Sequence, residues 1–87
     1  MVIFLLVVSF INIGATPESN PPKVVAYTNK LECVTEAARI NAPYDNSKEN
    51  THNGMNHAEV FKVTINSYTS LPRNDVEPVY VPAIKIQ

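Results

Sequence analysis

Two histidines, His52 and His57, lie five residues apart, with Asp45, Glu49 and Glu59 near them in the chain. Imidazoles and carboxylates are zinc ligands and proton-transfer groups, so this is the first place to look for chemistry. A metal centre needs three or four ligands converging from a defined frame. These residues instead sit in a polar run that contains Asn41, Asn46, Asn50, Asn53 and Asn56 along with Pro43 and Gly54. The reading is two solvated loop histidines and no metal site. The single cysteine, Cys33, excludes an intrachain disulfide and any Cys-based zinc cluster within one chain. Its thiol is either a small buried hydrophobe or, in a secreted chain, a bridge to another molecule. No nucleophile stands beside a base and no glycine-rich loop could cradle a phosphate. An enzyme is not expected, and no cofactor is implied.

The 87 residues allow one small domain. Seven basic against eight acidic side chains give a net charge of −1, which excludes the concentrated basic surface that nucleic acids require. The apolar share is 45% and is concentrated at the start. Residues 1–15 carry no charged side chain, and their unbroken apolar run, 2–8, is far shorter than the roughly 20 residues that cross a bilayer. With Gly14 and Ala15 closing it, the segment reads as a secretory signal peptide cleaved after Ala15. A buried N-terminal strand or helix and a retained membrane anchor are the alternatives. Cleavage would leave a secreted chain with no membrane contact.

Residues 16–22 form a proline-rich lead-in that cannot pair as a central strand, because proline has no N–H to donate. Period-2 alternation from Lys23, with Val25, Tyr27, Leu31 and Cys33 on one face, predicts a strand over about 23–32. Asn29 with Glu32 resembles a capping box, and 31–40 is rich in helix formers, which predicts a helical turn or short helix within 33–41. Residues 41–56 read as a long polar loop. In 57–69, Phe61, Val63 and Ile65 alternate with Lys62, Thr64 and Asn66, the clearest strand in the chain. Residues 70–75 read as a turn and 76–86 as a last strand, which Pro78 and Pro82 confine to an edge, a bulge or two short pieces. The fold class expected is mainly β, an antiparallel meander of three or four strands.

Three pieces in order resemble secreted cystatins, inhibitors of papain-like cysteine proteases. Val24-Val25-Ala26-Tyr27-Thr28-Asn29 is similar to the family's first inhibitory hairpin. His57-Ala58-Glu59-Val60-Phe61 is similar to the strand after its long polar connection, and Leu71-Pro72-Arg73 falls where its second hairpin lies. The resemblance spans about 23–81, makes 23–87 the cystatin-like domain, and implies an α+β fold. It departs at Lys23, at Tyr27 in place of a bend glycine, and at Arg73 in place of a tryptophan. The family's long N-terminal helix and the strand before its first hairpin have no counterpart, so one sheet face is expected to lie bare.

The resemblance implies a wedge that reversibly blocks a papain-like protease cleft, with Val24, Val25, Ala26, Tyr27, Leu71, Pro72 and Arg73 as contacts. Weak inhibition is expected from the missing elements. The rival readings are a non-inhibitory secreted interaction module and a small membrane-anchored subunit of a larger complex. Self-association through the bare sheet face and the open strand edges is expected as well.

Overall fold

The computed structural model describes residues 1–12, 21–48, 53–66 and 73–84. Along the chain come β1 (Val2–Ile11), β2 (Lys23–Tyr27), α1 (Lys30–Asp45), β3 (Met55–Asn66) and β4 (Arg73–Val79). The strands form one open sheet in the order β2-β1-β3-β4, every neighbouring pair antiparallel. The expected class, mainly β with three or four antiparallel strands and a helical turn or short helix, is the one adopted, with four strands. The order departs from a simple meander. The chain leaves the sheet edge at β2, passes β1 as α1 and re-enters as β3, so β2 and β3 run parallel with β1 between them.

β1 pairs with β3 from Val2↔Thr64 to Ile11↔Met55, and with β2 from Phe4↔Tyr27 to Val8↔Lys23. The apolar run supplies both faces of this inner strand, Phe4 and Leu6 toward α1 and Ile3, Leu5 and Val7 away from it. Residues 2–11, which the sequence reading assigns to a signal peptide, form the inner strand of this sheet. Cleavage after Ala15 would delete the strand to which β2 and β3 are both bonded. The pairing with β1 corrects the expectation that Val24-Val25-Ala26 lacks a partner strand.

Asn29 caps α1, its side chain accepting from the Glu32 N–H at 3.1 Å. That bond satisfies one of the donors orphaned at a helix start. The helix then buries Cys33, Ala37, Ala38, Asn41 and Ala42. These small residues recur at helical spacing, so the helix lies close against Phe4, Leu6, Ala58 and Val60 to form the core. On the solvent side Glu36 pairs with Arg39, which holds the Glu36 carboxyl below its ordinary range. α1 is longer than the turn expected within 33–41. It shortens the strand predicted over 23–32 and takes residues 41–45 from the predicted loop.

Two further expectations are corrected. The alternation predicts Phe61, Val63 and Ile65 facing the core, but Ala58 and Val60 do so, and the former three lie on the face away from α1. The last strand, expected over 76–86, is β4 at Arg73–Val79. Pro78 is tolerated there because β4 is an edge strand.

Candidate functional site

The helix-free face of the sheet is defined by the registers. Partners directly opposite share a face, so Ile3, Leu5 and Val7 of β1 lie with Phe61, Val63 and Ile65 of β3. Val24 and Ala26 of β2 and Val76 and Pro78 of β4 extend the same surface to both edges. No described helix or strand packs on it. At its centre Val63 is 7% exposed, while marginal Val24 is 57% and Val76 59% exposed. α1 covers one side, and nothing among the described residues covers the other.

Val24, Val25, Ala26 and Tyr27 lie in β2 at one edge of the sheet. They form no hairpin with the next segment, because the chain turns at Thr28 and Asn29 into α1. The helix comes after these four residues, where the resemblance places one before them. Leu71 and Pro72 lie outside the described residues, and Arg73 opens β4 at the opposite edge. β1 and β3 stand between the two segments, about 14 Å for three strand spacings. Tyr27 and Arg73 nevertheless belong to the same end of the sheet, at the levels of Lys62 and Asn66 on β3.

Cys33, weighed as an intermolecular bridge, is 0% exposed in the core. Burial pushes its thiol above the ordinary range, so it is neither an accessible nor an activated sulfur in the folded chain. In this fold it packs as a small buried hydrophobe, the other reading weighed for it.

A groove of about 410 Å³ lies where β4 ceases to pair with β3, between the end of α1 and residues 78–83. Asn41, Asp45, His57 and Glu59 contribute its polar lining. His57 Nε2 is 3.5 Å from a Glu59 oxygen, and its ring tilts against Tyr44 at a centroid distance of 4.8 Å. His57 Nδ1 is buried without a partner among the described residues. His52 falls outside them. The described residues gather no set of three metal-ligating side chains. Cys33 precedes Asn41 by eight helical residues, about 12 Å of rise, so it forms no thiol–imidazole pair with His57.

No described helix is long and apolar enough to cross a membrane. Comparison with protein-family models, with curated proteins and with solved structures finds no match. The surface that sequence reasoning placed least well is the helix-free face. Its signal was apolar residues at both parities in 2–8 and 58–65, which give a strand one apolar side toward the core and another away from it.

Proposed function

We propose that this chain is a non-enzymatic protein-interaction module whose working surface is the helix-free face of its sheet. The observation that supports it is the continuous apolar surface built from Ile3, Leu5, Val7, Phe61, Val63 and Ile65. Contiguous apolar surface of this kind on a soluble domain marks a site of association. The occupant is an amphipathic helix of a partner protein. On the opposite face, α1 already lies across the same two central strands. Helices on both faces are a stable way to bury a sheet. Titrating the protein into a dye-labelled amphipathic Leu/Lys helical peptide tests this. Saturable one-to-one binding, lost in Phe61→Lys and retained in Leu31→Lys on the exposed side of α1, is expected. Equal binding by both variants, or none by the wild type, would remove the reading.

A second reading, reversible occlusion of a papain-like protease, has one observation in its favour. Val24 and Val25 project from an open edge, and Tyr27 and Arg73 belong to one end of the sheet. Titrating a papain-like enzyme with the wild type and Val24→Asp tests it. Inhibition weakened by the substitution supports the wedge, and none at about a hundredfold excess ends it. Both readings require β1 to stay in the chain.

A further inference from the structure

β2 stands at one edge of the sheet, with β1 on its inner side only. The direction of its peptide groups is set by bonds across the sheet. Met1 and Ile65 exchange both backbone hydrogen bonds, at 3.3 and 2.8 Å, while the N–H and C=O of Ala58 turn away from β1 to Asn41. Odd-numbered residues of β1 and β3 therefore bond each other, and even-numbered residues of β1 bond toward β2. Through Phe4↔Tyr27, Leu6↔Val25 and Val8↔Lys23, the odd residues of β2 bond inward. Val24 and Ala26 aim their N–H and C=O groups outward, and no described residue receives them.

The two edges of the sheet differ in how they are guarded. β4 carries Asp75 and Glu77, and the same alternation turns the position of Pro78 outward, where no N–H is available. β2 has one charge, Lys23, at its end, with Val24 and Val25 57% and 47% exposed. Natural edges are blunted by charge, proline or bulges. β2 is left open.

We propose that two copies join edge to edge as an antiparallel, two-fold dimer centred on Val25, giving an eight-stranded sheet. In this register Val24 of each copy faces Ala26 of the other, which places the four outward peptide groups of each copy in hydrogen-bonded pairs. Val25 faces its own counterpart and Lys23 faces Tyr27, so no like charges meet. A two-fold interface has to be self-complementary, and this one is.

Disulfide trapping in a Cys33→Ala background tests the register. Facing residues of a non-hydrogen-bonded antiparallel pair have Cα atoms about 4.5 Å apart, within the span a disulfide bridges. Copies of residue 24 would stand about 8 Å apart, beyond that span. Val25→Cys is expected to give covalent dimers under mild oxidation and Val24→Cys to give none. Ala26→Pro, which deletes only an outward N–H, is expected to stay folded by circular dichroism and to sediment as a monomer where the wild type is dimeric. Phe61→Lys, on the face rather than the edge, is expected to leave the dimer intact. A monomeric wild type, a dimer that survives Ala26→Pro, equal trapping at 24 and 25, or open-ended polymers through β4 would each overturn the proposal.

Discussion

The side chain of Asn41 takes the place of a missing strand beside Ala58. Its Nδ2 donates to the Ala58 carbonyl at 2.9 Å, and its Oδ1 accepts from the Ala58 N–H at 2.6 Å. β4 pairs with β3 only as far as Val60↔Val79, so Ala58 would otherwise hold two unpaired peptide groups in the core. A side-chain amide has one donor end and one acceptor end, and here both are used as a neighbouring strand would use its own. Asn41 is 4% exposed, the only polar residue in the described core.

Asn41→Leu should therefore destabilise the fold despite its greater hydrophobicity. Each buried peptide group left unsatisfied costs about 1–3 kcal/mol, so a loss on the order of 2–5 kcal/mol is expected in urea unfolding. A loss below about 0.5 kcal/mol would be that of an ordinary surface site, and would mean that water or another group replaces the amide.

Cys33 should behave as a core residue. A thiol reagent is expected to label it only as fast as the protein unfolds, with full labelling in denaturant. Below the ordinary thiol range the group is neutral in both states, so its raised folded pKa costs the native state nothing there. As pH rises past about 8.5 the unfolded thiol ionises first, so stability falls until the folded pKa is reached. In Cys33→Ala this alkaline decline should be smaller in denaturant midpoints measured across that range. An identical decline in both proteins would assign it to other groups.

The chain beginning at Thr16 should not fold. Without β1, β2 and β3 lose their common partner, and Phe4 and Leu6 leave the core. Truncating one core leucine to alanine already costs about 2–5 kcal/mol, comparable to the whole stability of a small domain. Circular dichroism of the truncated chain should show a random coil with no cooperative melt. A folded, melting 16–87 fragment would favour the signal-peptide reading of residues 1–15.

Leu6→Ala and Val63→Ala should separate the two faces of the sheet. Leu6 is 2% exposed and touches the buried residues of α1, so its truncation should cost about 2–5 kcal/mol. Val63 lies on the face away from α1, and its truncation should cost about 1 kcal/mol, the central value for single substitutions. Equal losses in thermal melts would mean that the helix-free face is covered.

Much of the local structure could be read from residue types. Asn29 with Glu32 marked the helix start, and the alternation after His57 marked β3. Less visible was which side of β3 faces inward, since Ala58 and Val60 are apolar at one parity and Phe61, Val63 and Ile65 at the other. Only the position of α1 breaks that tie, and it is a tertiary fact. The run 2–8 was ambiguous for a similar reason. An inner strand with apolar residues on both faces and the hydrophobic region of a signal peptide are both short, uncharged and apolar. The extent of α1 past Ile40 was hidden by Pro43, which favours ending a helix yet stands in its last turn. The Asn41–Ala58 bonds join residues 17 apart and have no local signature.

Both proposed surfaces exist only if Val2–Ile11 is the inner strand of the sheet, and amide hydrogen exchange on the full-length protein measures this directly. The peptide N–H groups of Leu5, Leu6 and Val7 are expected to be among the slowest in the chain, exchanging together with those of Phe61 and Val63. Free exchange across residues 2–11 beside a protected β3 would contradict the fold and both of its proposed interfaces.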